Sequence, residues 1–87
     1  MKLEEYREKI DAVDEKLVAL FAERMETAAQ VAAYKKEHGL PVLDAARERQ
    51  KLRAVGELAP EAFRDDTETL YRLIFELSRS YQHRLLD

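Results

Sequence analysis

The stretch FAERMETAAQVAAYKK, residues 21–36, decides how this chain folds. It continues a row of apolar residues that recurs every three or four positions, which predicts one face of an α-helix. Because no glycine or proline occurs before Gly39, we predict a single helix of about 36 residues that ends at Gly39 and Pro41. The apolar row consists of Leu3, Tyr6, Ile10, Val13, Leu17, Leu20, Ala28, Val31 and Tyr34.

Two more helices are predicted after the first. Asp44 is suited to cap a short second helix that runs to about residue 58, and Gly56 is expected to weaken its end. Pro60 suits the first turn of a third helix that continues to the C-terminus. Strand-like alternation and internal repeats are absent from the sequence, so we predict one all-α domain over residues 1–87 with three helices, long, short and long. The third helix carries apolar residues at Phe63, Leu70, Leu73, Ile74, Leu77, Tyr81 and Leu85.

The length of the first helix predicts an assembly. At 1.5 Å per residue it spans about 54 Å, whereas a compact domain of this size has a diameter of roughly 30 Å. A helix longer than its own domain cannot bury its whole apolar face within one chain. We therefore predict a two-fold homodimer whose long helices pack on each other. The alternative is a helix whose far end frays in solution.

Composition limits the classes of function. The chain is 46% hydrophobic and 38% charged with both signs interleaved, which is typical of a soluble helical domain. A net charge of -3 argues against nucleic acid as a partner. The chain has no cysteine for a disulfide or a thiolate zinc site, and its N-terminus has no apolar run typical of a signal or a membrane span. We expect a cytoplasmic protein without a membrane partner.

Two cations interrupt the apolar face of the first helix. The row predicts an apolar residue at position 24, but the chain has Arg24 there, and Lys35 follows on the same face about 16 Å further along the axis. The segment between them, TAAQVAA (residues 27–33), consists almost entirely of small residues. Small side chains between two cations leave a hollow that suits a small anionic ligand. Alternatively, Arg24 is a buried or half-buried arginine paired with an acid, and Lys35 is a surface lysine near a helix C-terminus.

Further polar residues lie near the predicted core. Glu48 is on the inward face of the second helix, where an unpaired carboxylate is costly, so we expect a polar partner for it. Alternatively, Asp44 is fully explained as a helix cap, and Arg47 and Glu48 as ordinary solvated charges in the first turn of the second helix. Ser78 and Gln82 are one turn apart on the third helix, beside its apolar residues.

Arg7 is about 100° away from Arg24 around the first helix, so it cannot easily join the same hollow within one chain. In an antiparallel dimer it could complete the hollow of the partner. Taken by itself, Arg7 is explained as an exposed arginine paired with Glu4 or Glu8.

The residue patterns of covalent and metal catalysis are missing. His38 and His83 are far apart in sequence and lack metal-ligand spacing, and no glycine-rich loop is available for a phosphate. If the chain is an enzyme, it is expected to act by holding and electrostatically stabilising its substrate, with no metal or cofactor.

Three stretches, taken in order, resemble the all-helical class of chorismate mutases. They are YREKIDAVDEKLVALFAERMETAAQVAAYKK, PVLDAARERQ and LYRLIFELSRSYQ, within about residues 4–86. The resemblance implies an intertwined dimer in which each of two sites is built mostly from one chain and completed by the other. It also implies the pericyclic (Claisen) rearrangement of chorismate to prephenate, a step of the shikimate pathway toward phenylalanine and tyrosine. The substrate would be chorismate, and no cofactor would be needed.

The resemblance also implies roles for individual residues in binding the substrate. Arg24 and Arg7 of the partner subunit would hold the two carboxylates of chorismate, with Ser78 assisting. Lys35 and Gln82 would donate hydrogen bonds to the ether oxygen of the breaking bond.

The second helix would supply the rest of the site. The resemblance implies that Glu48 and the backbone at Asp44 receive the ring hydroxyl and that Arg47 contributes to the electrostatics of the wall. Two other functions stay open. One is an isochorismate-pyruvate lyase, although lyases of this fold tend not to keep an acid at the position of Glu48. The other is a non-catalytic helical dimer that regulates or docks with a shikimate-pathway enzyme.

Overall fold

Three α-helices make up most of the chain in the computed structural model, which describes residues 2–86. Helix α1 spans Lys2–Glu37, α2 spans Ala45–Leu58 and α3 spans Arg64–Leu86. No strand occurs within these described residues. The predicted all-α class and the order of a long, a short and a long helix are therefore confirmed.

The end of α1 and the start of α2 follow from the residues that lie there. Gly39 has a φ of 67°, which is the left-handed conformation that favours glycine. The N–H of Leu40 donates to the carbonyl of Lys35 at 2.8 Å and that of Gly39 to the carbonyl of Lys36 at 3.3 Å. These bonds close α1 as a Schellman motif. The carboxylate of Asp44 caps α2 by accepting from the N–H of Arg47 at 3.0 Å.

The connection into α3 differs from the prediction. Pro60 precedes a single 3-10 turn, Glu61–Phe63, and α3 begins only at Arg64. The N–H of Phe63 closes that turn on the carbonyl of Pro60 at 2.8 Å. Pro60 therefore starts the turn that leads into α3, and it is not part of the first α-helical turn as the sequence suggested.

Gly56 lies where α2 and α3 approach each other closely. It is buried within α2, and a Cβ atom at this position would lie 2.7 Å from the Oε2 atom of Glu68 on α3. The side chain of Arg64 donates to the carbonyl of Gly56 at 3.2 Å, which links the two helices again. The sequence predicts only that Gly56 weakens the end of α2, but in the structure this glycine also permits close packing of α2 against α3.

Helix α3 packs against both other helices, and the small core lies along it. The buried residues of α1, Ala28 and Ala32, are both in its C-terminal half. They form the apolar core together with Val42, Val55 and Phe75. Phe75 was not in the predicted apolar row of α3, because the face of α3 that meets the other helices also carries the polar Ser78 and Gln82. None of the described helices is long and apolar enough to cross a bilayer.

The N-terminal half of α1 extends beyond this core. The chain measures 56 × 25 × 14 Å, with a radius of gyration of 16.0 Å, which is larger than the roughly 12 Å of a compact domain of this length. Large apolar side chains on this part of α1 are about half exposed or more, for example Tyr6 at 60% and Ile10 at 58%. The exposed apolar residues also include Val13, Leu17, Leu20, and on α3 Leu70, Leu73, Leu77 and Leu85.

Candidate active site

A cavity of about 350 Å³ lies between the C-terminal half of α1, the loop after it, α2 and α3. Its volume is within the range of pockets that bind small molecules. Seven of the eight site residues expected from the sequence line this cavity: Arg24, Lys35, Asp44, Arg47, Glu48, Ser78 and Gln82.

Helix α1 contributes the small residues and the two cations predicted for one face. Arg24 and Lys35 both line the cavity, and Ala28 and Val31 line it between them. The guanidinium carbon of Arg24 lies 5.7 Å from the ring centre of Tyr71 and 5.8 Å from that of Phe75. Aromatic faces attract cations, so these two rings of α3 hold the guanidinium at the cavity wall. Among the described residues no carboxylate forms a salt bridge with Arg24.

The ammonium group of Lys35 is fixed by the loop after α1. Its Nζ atom donates to the backbone carbonyl of Val42 at 2.8 Å, and Val42 is itself buried. An ammonium has three donors, so two remain for a ligand. The half-buried side chain is thus a fixed donor and not a freely moving surface lysine.

Helix α2 contributes a carboxylate that is already paired. The Nη1 atom of Arg79, on α3, donates to both oxygens of Glu48 at 2.5 Å. This confirms that a polar group meets Glu48 on the inward face, although the sequence did not indicate which one. Arg79 and Lys51 line the cavity but were not predicted. Their spacing in the sequence could have indicated both residues, because side chains three positions apart are neighbours on a helix. Lys51 is three residues after Glu48, and Arg79 is three residues before Gln82.

Helix α3 contributes two buried neutral side chains. Ser78 and Gln82 are each 7% exposed, and the amide nitrogen of Gln82 donates to the hydroxyl of Ser78 at 3.0 Å. The amide oxygen of Gln82 is buried and has no hydrogen-bond partner among the described residues. A buried polar atom without a hydrogen-bond partner destabilises the folded protein by about 1–3 kcal/mol. Such atoms are a common feature of binding sites.

Arg7 is the one expected site residue that lies outside the cavity. It forms an exposed ion pair with Glu4 at 3.8 Å, and its side chain is 65% exposed. This position agrees with the expectation that Arg7 cannot reach the hollow within its own chain.

The cavity has a strong positive charge balance. Its wall holds the cationic side chains of Arg24, Lys35, Arg47, Lys51 and Arg79 but only two carboxylates, those of Asp44 and Glu48. The net charge of the wall is therefore about three positive units at neutral pH, which suits a small molecule with two negative charges. No group of three or more histidine, aspartate or glutamate side chains within residues 2–86 is arranged to hold a metal ion.

Comparison with known proteins gives several similar chains, and the names of two of those described here include chorismate mutase. The chain is 32% identical to a chorismate mutase of Methanocaldococcus jannaschii over 88 residues, which cover 99% of this chain and 89% of that protein. It is 43% identical over 83 residues to a bifunctional chorismate mutase/prephenate dehydratase of Escherichia coli, covering 93% of this chain and 22% of the relative. A T-protein of Haemophilus influenzae is 42% identical over 52 residues, which are 60% of this chain and 14% of that protein.

The comparison with solved structures gave no significant match. Residues 6–83, in contrast, match the chorismate mutase type II family, and this range includes every residue of the cavity wall. The length of that match and the full-length similarity to the archaeal protein establish that the chain belongs to the chorismate mutase type II family.

Proposed function

We propose that this chain, as a single helical domain, catalyses the rearrangement of chorismate to prephenate. Chorismate mutases are isomerases that serve the synthesis of phenylalanine and tyrosine. The observation that carries the proposal is the meeting of Arg24, Lys35 and Gln82 in one cationic cavity of a chain from this family. Arg24 and Lys35 are on α1 and Gln82 is on α3, so their meeting is a property of the fold.

The reaction suits a site made only of hydrogen-bond donors and charges. It is a one-step pericyclic rearrangement that needs no proton transfer and no covalent intermediate. An enzyme accelerates it by selecting the chair-like diaxial shape of a flexible dianion and by stabilising the negative charge that grows on the ether oxygen. The fixed cations of this cavity can do both.

The two carboxylates of chorismate are assigned to the arginines. Arg24, held over Tyr71 and Phe75, has its guanidinium donors available for one carboxylate. Arg7 of the partner subunit binds the other, and the hydroxyl of Ser78 assists. Holding both ends of the dianion fixes its conformation before the reaction.

The ether oxygen is assigned to Lys35 and Gln82. A charge-assisted hydrogen bond from Lys35 becomes stronger as negative charge develops, which is what stabilisation of a transition state requires. The amide nitrogen of Gln82 has two hydrogens, and only one of them is donated to the hydroxyl of Ser78, so the second is left for the ether oxygen.

The ring hydroxyl of chorismate is assigned to α2. It donates to the carboxylate of Glu48 and meets the backbone at Asp44, while Arg47 adds positive potential at the wall. The presence of Glu48 on the cavity wall supports the mutase over an isochorismate-pyruvate lyase, because lyases of this fold tend to lack that acid.

The working form is proposed to be a homodimer. The exposed apolar residues of α1 extend along a molecule 56 Å long, and stable monomers rarely expose so continuous an apolar surface. A two-fold pairing of the α1 helices would cover this surface and bring Arg7 of each chain to the cavity of the other.

A direct assay tests the proposed function. Purified protein is expected to accelerate the loss of the ultraviolet absorbance of chorismate and to produce prephenate. Release of pyruvate from isochorismate, without prephenate formation from chorismate, would indicate the lyase. No acceleration of either reaction at micromolar protein would leave the non-catalytic docking dimer.

A further inference from the structure

We propose that Arg79 is a positioning residue that holds the carboxylate of Glu48 in the orientation needed to receive the ring hydroxyl of the substrate. The inference rests on the proposed function. It adds a residue that neither the sequence patterns nor the family resemblance indicated.

The geometry of the pair is specific. One nitrogen, Nη1 of Arg79, lies 2.5 Å from both Oε1 and Oε2 of Glu48, so the two oxygens share one donor and the carboxylate is held facing Arg79. Each carboxylate oxygen accepts up to two hydrogen bonds, which leaves a site on each oxygen for another donor. The pair therefore orients Glu48 without using up its capacity to bind a ligand hydroxyl.

The surroundings of the pair make this contact stronger than a surface ion pair. The side chains of Arg79 and Glu48 are only 28% and 27% exposed, and the pair joins α2 to α3 across 31 positions of sequence. The exposed ion pair of Arg7 with Glu4 is longer, at 3.8 Å, and both of its side chains are about 65% exposed. A short, partly buried, charge-assisted bond holds a side chain far better than an exposed one.

The position of Arg79 explains how it can act through Glu48. Both residues line the main cavity, and both also line a second groove on another side of the α2–α3 contact, together with Arg49, Arg72 and Glu76. The pair thus lies between the two spaces, together with Phe75, which also lines both. Without Arg79, the carboxylate of Glu48 is free to turn toward the groove or toward the cation of Lys51 on its own helix.

A double-mutant cycle on the full chain tests the proposal with chorismate as the substrate. Arg79→Leu is expected to lower kcat/KM about 10- to 100-fold, the usual effect of losing a hydrogen bond to a charged group. In a Glu48→Gln background the same change is expected to have less than about a 2-fold effect, because Arg79 acts only through the carboxylate. Arg79→Lys is expected to restore most of the activity, since a single nitrogen serves both oxygens and an ammonium can make that contact.

Arg72→Leu is the matched control, because Arg72 is an arginine on the same helix, two turns earlier and outside the main cavity. It is expected to leave kcat/KM unchanged. Should Arg79→Leu fail to give the circular dichroism of the parent protein, Arg79→Gln replaces it in the cycle. Equal losses from Arg79→Leu with and without Glu48 would overturn the proposal and show that Arg79 contacts the substrate itself. Failure of Arg79→Lys to restore activity would also overturn it. An inactive parent protein would instead overturn the proposed function and this inference together.

Discussion

The amide nitrogen of Gln82 lies 3.0 Å from the hydroxyl of Ser78, one turn away on α3, and each residue is only 7% exposed. A neutral, buried pair therefore lines a cavity in which most of the other polar side chains are charged. Because neither side chain titrates, the hydrogen-bond donor that Gln82 is proposed to supply is available at every ordinary pH.

The pH dependence of catalysis should change with Gln82→Glu. The parent protein is expected to have a nearly constant kcat/KM from about pH 6 to pH 8, as is typical when no acid or base catalysis is involved. A glutamate side chain donates only when protonated, and its ordinary pKa is about 4.3. The activity of Gln82→Glu should therefore rise as the pH falls, and a pH series of initial rates measures this.

The comparison with Gln82→Ala isolates the effect of a hydrogen-bond donor at position 82. This variant is expected to have low activity at all pH values, because it has neither a donor nor a titrating group. A bell-shaped profile for the parent protein, or a flat profile for Gln82→Glu, would contradict the role assigned to Gln82.

Loss of the ammonium of Lys35 should remove most of the catalysis. Lys35→Ala is expected to lower kcat by about 100- to 1,000-fold, the range seen when one preorganised donor to a developing negative charge is removed. Lys36→Ala is the matched control, since Lys36 is the exposed neighbour and does not line the cavity. Steady-state kinetics measure kcat for both variants. Similar losses of kcat in Lys35→Ala and Lys36→Ala would argue against a specific role for Lys35.

Mixed subunits should reveal a shared site. Arg7→Ala and Lys35→Ala proteins are each expected to be nearly inactive, but an equal mixture should recover about a quarter of the parent activity after subunit exchange. Half of the dimers would then be mixed, and one of their two sites would have both Arg7 and Lys35 intact. Light scattering and a tagged subunit verify the dimer and the exchange. An inactive mixture with proven exchange would place Arg7 outside the site.

The turn after α1 should require glycine. Gly39 has a φ of 67° and no atom within 4 Å of the position of a Cβ atom, so a substitution there is strained by the backbone alone. Gly39→Ala is expected to lower the free energy of unfolding by about 1–2 kcal/mol. Gly39→Asn should lower it by less, because asparagine tolerates this conformation better. Urea unfolding at one protein concentration measures both changes, and equal stability of Gly39→Ala and the parent would contradict the argument.

Much of the fold can be predicted from local features of the sequence. The spacing of apolar residues predicts α1, Gly39 predicts its end and Asp44 predicts the start of α2, because helix periodicity and capping depend on nearby residues. The 3-10 turn before α3 was not predicted. Proline is compatible with several turn conformations, so its presence alone does not choose between them.

The candidate site was predictable only in part. Arg24 and Lys35 could be assigned to one face because both are on α1, and a helix relates them by simple geometry. The partner of Glu48 could not be identified in the same way. Arg79 is 31 residues away on another helix, and only the packing of α2 against α3 determines which of several arginines reaches that carboxylate.

By itself the sequence determined the three helices, the break in the apolar face at Arg24 and the resemblance to the chorismate mutase family, since each depends on the order and spacing of residues along the chain. The tertiary structure alone decided that Arg24 and Lys35 of α1 share one cavity with Glu48 and Gln82, and that Arg79 is the partner of Glu48. The physical reason is that burial and charge pairing between helices depend on their relative positions in space, which no periodic pattern within a single helix can specify.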